Sequence, residues 1–116
     1  MIGVDIVAIS RIESAIEKHG EKFLRRYLSD REIALIKSPE TAAGFWAAKE
    51  AIAKALGTGI GETVGFYDIT LSKSPKGAPL FTLSQPIVEK FGIENTSLSI
   101  AHDGGFALAV AAIEVR

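Results

Sequence analysis

The segment that constrains this chain most runs from Ser38 to Gly61. Ser38-Pro39-Glu40 is the strongest helix start in the sequence: a hydroxyl able to accept from the first free amides, a proline at the first helical position, and an acid in the positive first turn. The next strong stop is Gly57-Thr58-Gly59-Ile60-Gly61, so one long helix is predicted over residues 39–56. Phe45, Ala48, Ile52, Ala55 and Leu56 fall on one stripe and should face a core. The other side carries Glu50 and Lys54 with Trp46, Ala47 and Ala51. Glu50 and Lys54 have the order of a solvated i,i+4 ion pair worth about 0.3–0.5 kcal/mol. A merely solvated face has no reason to prefer a bulky aromatic beside alanines, so something is expected to pack there.

Shorter elements surround this helix. Ile2, Val4 and Ile6 alternate with Gly3, Asp5 and Val7, a strand apolar on both faces except for one carboxylate. Ser10-Arg11-Ile12-Glu13 reads as a capping box opening a helix that Gly20 stops, and Phe23, Leu24, Tyr27 and Leu28 continue at helical spacing. Ser29-Asp30-Arg31-Glu32 repeats the box and starts a short helix through about residue 37. Residues 66–72 and 80–83 read as strands joined by the turn formers Lys73-Ser74-Pro75-Lys76-Gly77-Ala78. Ser84-Gln85-Pro86 opens a helix that ends at Gly92, and residues 97–100 and 106–115 alternate as strands around Asp103-Gly104-Gly105. Strand, helices, two strands, helix and two strands, with no linker or repeat, predict a single α+β domain over residues 1–116 with a small antiparallel sheet.

Composition narrows the function. An apolar fraction of 47%, a charged fraction of 23% and a net charge of −1 are ordinary for a globular protein, and the total gives no sign of a nucleic-acid binder. The absence of cysteine removes thiol nucleophiles, disulfides and cysteine zinc sites. The N-terminus lacks a basic start, carries Asp5 and meets Arg11 too early for a signal peptide, and no apolar run reaches about 18 residues. A soluble, cytoplasmic protein without membrane contact is expected. Residues 11–37 hold seven Lys/Arg against five Asp/Glu, either a solvated face or a docking edge for an acidic partner.

Asp5 needs a partner, because a bare carboxylate in an apolar strand is costly. Two arrangements serve: an ion pair with Lys49 or Lys54, or a hard cation such as Mg²⁺ shared with Glu50. His102 ends a strand beside a glycine-rich turn, where it could reach a ligand, whereas His19 reads as surface. Neither histidine has a second ligand at zinc spacing. The Gly57–Gly61 loop follows a helix instead of preceding one, unlike a phosphate loop.

Three blocks together resemble one family. Gly3-Val4-Asp5-Ile6-Val7 with Arg11-Ile12, then Ala47-Ala48-Lys49-Glu50-Ala51 with Lys54-Ala55-Leu56-Gly57-Thr58-Gly59, then Ser99-Ile100-Ala101-His102, closely resemble the holo-acyl-carrier-protein synthases in order and spacing, across nearly the whole chain. The resemblance implies a homotrimer of α+β subunits with active sites at subunit boundaries, which would occupy the Trp46/Ala47/Ala51 face. It implies a phosphopantetheinyl transferase that loads acyl carrier protein from coenzyme A for fatty acid biosynthesis. Asp5 and Glu50 would hold Mg²⁺ and Lys54 would neutralise the pyrophosphate, these three forming the catalytic set. Lys49, Gly57, Gly59, Ser99 and His102 would join Lys54 in binding coenzyme A, and Arg11 and Arg26 would receive the carrier protein. Phe45 and Ala101 depart from the pattern, many members having arginine at the first position and a hydroxyl residue at the second. From the residues alone, a small acid–base isomerase using Asp5, Glu50 and His102, or a non-catalytic assembly module anchored by Trp46, are the rival readings.

Overall fold

In the computed structural model, which describes residues 1–116, the chain opens as strand β1 (Ile2–Ala8) and passes without a loop into helix α1 (Ile9–His19). The predicted cap at Ser10 does not form. The N-cap position falls on Ala8, which has no side-chain acceptor, and the Ile9 amide, the first of the helix's free donors, is satisfied by the carbonyl of Gly105 at 2.9 Å. Gly20 ends α1, and two single-turn helices follow, α2 (Glu21–Leu24) and α3 (Asp30–Ile33). The second capping box is present, with Glu32 accepting the Ser29 amide at 2.8 Å. α3 is shorter than predicted because Leu35 and Ile36 tighten to i→i+3 bonds.

Helix α4 (Pro39–Ala55) has the predicted start, Ser38 Oγ accepting the Thr41 amide at 3.3 Å. After it come β2 (Ile69–Lys73), β3 (Pro79–Leu83), α5 (Gln85–Phe91), β4 (Ile93–Asp103) and β5 (Phe106–Val115). Residues 66–68, predicted as strand, form a 3-10 turn, because Asp68 folds back to accept the Gly65 amide at 2.9 Å and the Ser84 hydroxyl at 2.7 Å. β4 extends well beyond residues 97–100, since β5 offers it a partner along its whole length. The antiparallel order is β1-β5-β4, and β2 and β3 form a separate hairpin.

α4 lies against the face of the three-stranded sheet made by Gly3, Val7, Ala107, Ala109, Ala111 and Ile113. Small residues on both sides permit close approach: a Cβ on Gly3 would fall onto the Ala51 carbonyl and within 2.5 Å of the Ala55 nitrogen. The opposite sheet face carries Ile2, Val4, Ile6, Phe106, Leu108 and Val110, all exposed, with Val4 at 52% and Ile6 at 61%.

One expectation is overturned. Ala47 and Ala51 are fully buried inside the subunit, and Trp46 packs with Phe23, Tyr27 and Phe66 at ring-centroid distances of 5.9, 5.0 and 5.3 Å. Ala47 and Ala51 therefore meet the chain's own sheet, and the half-buried Trp46 packs on its aromatic cluster, so the packing expected on this face comes from within the subunit. With cover on several sides α4 keeps only Lys54 exposed, and helical periodicity locates a core face only when another face meets water. No helix is long and apolar enough to cross a membrane.

Candidate functional site

Strand alternation points Asp5 from β1 toward α4, where Lys54 stands at the last turn. Lys54 Nζ donates to Asp5 Oδ1 at 2.9 Å and to the Val4 carbonyl at 3.4 Å. The Asp5–Lys54 pair is thus formed, and Asp5–Lys49 and Glu50–Lys54 are not. Glu50, one turn before Lys54, opens with Asp5 into a cavity of about 170 Å³ closed by Arg11, Trp46, Ile6 and Val7. The Arg11 guanidinium carbon sits 5.9 Å from the Trp46 ring centroid, within cation–π range.

Glu50 has no ion-pair partner in this cavity, because Lys54 is bonded to Asp5. Burial, then the negative charge of Asp5, pushes the Glu50 carboxyl pKa up, against the opposing pull of Lys54 and Arg11. The hydrogen bond to Asp5 and its charge push the Lys54 pKa up. Two carboxylates that crowd each other fit a hard cation, and no third histidine, aspartate or glutamate joins them. That donor set suits Mg²⁺, which commonly takes one or two carboxylates and fills its sphere with water and substrate phosphate oxygens. Asp5 and Glu50 are the residues that would hold it.

Lys49 faces the other way. Its side chain is fully buried, and Nζ donates to Glu32 Oε1 and to the Phe66 carbonyl, each at 3.0 Å. Burial pulls the lysine pKa down while Glu32 opposes it. Glu32 passed unnoticed in the sequence because its place in the capping box already accounted for it; its other oxygen accepts the Leu71 amide at 2.7 Å.

His102 lies at a second cavity, of about 260 Å³. The first half of α4 gives one wall through Thr41, Gly44 and Phe45, and the β2–β3 hairpin gives another through Lys73, Gly77 and Pro79. Lys73 is a second basic group here that the sequence hid inside a turn-rich connection. Ser99 is exposed on the outer sheet face opposite Val110, whereas the alternating Leu98 and Ile100 are half-buried toward α4. Ser99 and His102 therefore occupy opposite sheet faces of one chain. Gly57 and Gly59 end α4 with φ of 81° and 66°, conformations that favour glycine, and their amides return to the Lys54 and Ala53 carbonyls. Arg26 is exposed in a shallow groove with His19, Lys22 and Phe23, apart from the cavity that contains Arg11.

Against known proteins, the family model described as the 4'-phosphopantetheinyl transferase superfamily matches residues 1–111. The chain belongs to that superfamily. Among its relatives, the holo-[acyl-carrier-protein] synthase of Wolinella succinogenes is 60% identical over 116 residues, covering 100% of this chain and 98% of the relative. That of Campylobacter curvus is 57% identical, covering 97% and 99%. The crystal structure of the Helicobacter pylori holo-[acyl-carrier-protein] synthase in complex with coenzyme A superposes with a TM-score of 0.95 at 50% identity, covering 98% of this chain and 100% of that one. The Neisseria meningitidis enzyme gives 0.87 at 35% identity, with coverage of 97% and 96%. The antiparallel sheets and long central helix are thus the architecture of this transferase family.

Proposed function

We propose that this chain, acting as one domain over residues 1–116, transfers the 4'-phosphopantetheine arm of coenzyme A to a serine of apo acyl carrier protein. The observation that carries the reading is the Asp5/Glu50/Arg11 cavity with Lys54 beside it, in a chain that matches its transferase relatives from end to end. The serine hydroxyl, its proton passing to water, forms a bond to the β-phosphorus of coenzyme A as the bond to 3',5'-ADP breaks, so negative charge grows on nonbridging and leaving oxygens. Lys54, held in place by Asp5, supplies fixed positive charge to those oxygens. Bound by Asp5 and Glu50, Mg²⁺ would supply further charge neutralisation at the pyrophosphate.

The nucleotide end of coenzyme A belongs in the His102 cavity, where Lys73 and His102 offer donors and Phe45 an apolar face. Gly57 and Gly59 border Lys54. Arg26 and its groove, with Arg11 nearer the reacting serine, form the basic edge for the acidic carrier protein. A homotrimer is the assembly we propose, meeting through the exposed apolar sheet face of Val4, Ile6, Leu108 and Val110. Ser99 would then face a neighbouring copy, and a coenzyme A that touches both Ser99 and His102 lies at a subunit boundary. The compartment proposed is the cytoplasm.

Incubation with apo carrier protein, coenzyme A and Mg²⁺ should add one phosphopantetheine mass to the carrier and release equimolar 3',5'-ADP. No mass shift with any carrier protein offered, or full turnover after divalent ions are chelated, would reject the reading. For the assembly, light scattering should give a trimer that Val4→Glu dissociates; a monomeric wild type with full activity would refute it.

A further inference from the structure

Lys49 and Glu32 are interior charges that the chemistry above does not use. Four bonds converge on them: Lys49 Nζ donates to Glu32 Oε1 and to the Phe66 carbonyl, and Glu32 accepts the Ser29 amide on Oε1 and the Leu71 amide on Oε2, all between 2.7 and 3.0 Å. The bonds therefore tie together the cap of α3, the middle of α4, the 3-10 turn and β2. Their side-chain exposures are 0% and 2%. A pair this buried is poor evidence for stability, because apolar residues of equal volume often serve as well. It does fix the relative placement of the segments it joins, since stretching any bond leaves a buried charged group short of a partner.

Those segments carry the walls of the His102 cavity. β2 ends at Lys73 and the hairpin continues to Gly77 and Pro79, while α4 carries Thr41, Gly44 and Phe45 opposite. The hairpin is not hydrogen-bonded into the three-stranded sheet, so no backbone ladder sets its distance from α4. We propose that Lys49 and Glu32 are positioning residues, a buried clamp that holds the β2–β3 hairpin at a set distance from α4 and thereby shapes the cavity for the nucleotide end of coenzyme A. The clamp rests on the transferase reading for its ligand, and it gives Lys49 no contact with coenzyme A, although its neighbour Glu50 and nearby Lys54 face the reacting phosphate.

The test compares wild type with the E32Q/K49M double variant in the full chain. Losing both charges together strands neither, and glutamine keeps one acceptor oxygen, which cannot serve the Ser29 and Leu71 amides together. The expected result is a folded protein whose KM for coenzyme A rises about tenfold, the equivalent of one lost contact, while kcat and KM for carrier protein stay within about twofold. The Leu71 amide should exchange with solvent about tenfold faster in the variant, with β5 amides unchanged. A pair that only packs the interior would shift the melting temperature without this split. A double variant with wild-type KM for coenzyme A and wild-type Leu71 exchange would overturn the clamp. Failure of the wild-type chain to transfer anything would instead sink the transferase reading, and Leu71 exchange, which needs no substrate, would still decide the clamp.

Discussion

Lys49 and Lys54 sit on one helix and each meets a carboxylate, yet the two pairs are opposites. Lys49 and Glu32 have side-chain exposures of 0% and 2%, and burial pulls the lysine pKa down. Lys54 and Asp5 have 50% and 15%, the lysine pKa is pushed up by Asp5, and Glu50 crowds the same space. A lysine whose donors are spent inside the chain is a structural tie, whereas one at the edge of a charged cavity remains available to a phosphate.

The largest break between them should appear in turnover. Glu50→Gln and Lys54→Met are each expected to lower kcat by about 10²–10³-fold, with metal affinity falling only in the first. Because the Lys54 pair is exposed, Lys54→Met should change stability by no more than about 1 kcal/mol. Lys49→Met should do the reverse, stranding the Glu32 charge at a cost of about 3–5 kcal/mol, visible as a large fall in melting temperature. Equal melting temperatures for the two lysine variants would erase the contrast.

A smaller effect separates the two arginines. Arg26→Glu should raise KM for carrier protein about tenfold at low salt, less at high salt, and leave kcat alone. Arg11→Glu should raise that KM and also lower kcat, because its guanidinium borders the Asp5/Glu50 cavity. Identical kinetics for both variants would show that Arg11 belongs only to the docking edge.

The smallest effect is on pH dependence without metal. The folded chain holds the Glu50 proton more tightly than the unfolded chain, so between the ordinary carboxylate pKa and the raised one stability should increase as pH falls. Above that window the cost of the buried charge is fully present. Glu50→Gln should flatten this slope, and so should saturating Mg²⁺; melts at stepped pH that show no difference between wild type and variant would remove the charge crowding. Lys54 acts at the alkaline end, where the stability of its pair should be lost as pH rises through its raised pKa.

Much of this is legible in the sequence alone. The start of α4 at Ser38-Pro39, its end before Gly57, and the tight turn at Gly104-Gly105 follow from short-range geometry. Asp5 declared itself by its cost in an apolar strand. Lys73 and Glu32 did not, because a lysine among turn formers and a glutamate in a capping box each already had a sufficient local explanation. The Trp46/Ala47/Ala51 face misled for a related reason: alanine fits a sheet contact inside the subunit as readily as a contact between copies.

By itself, then, the sequence determined both ends of α4, the turn at Gly104-Gly105 and the family, because caps, φ limits and motif spacing act over a few residues. Only the tertiary structure decided which lysine Asp5 takes, which side of the sheet Ser99 and His102 occupy, and which apolar face is left open. The Asp5–Lys54 bond joins residues 49 positions apart. Such choices depend on what packs over α4 and on the pairing of β4 with β5, and no local pattern along the chain encodes either.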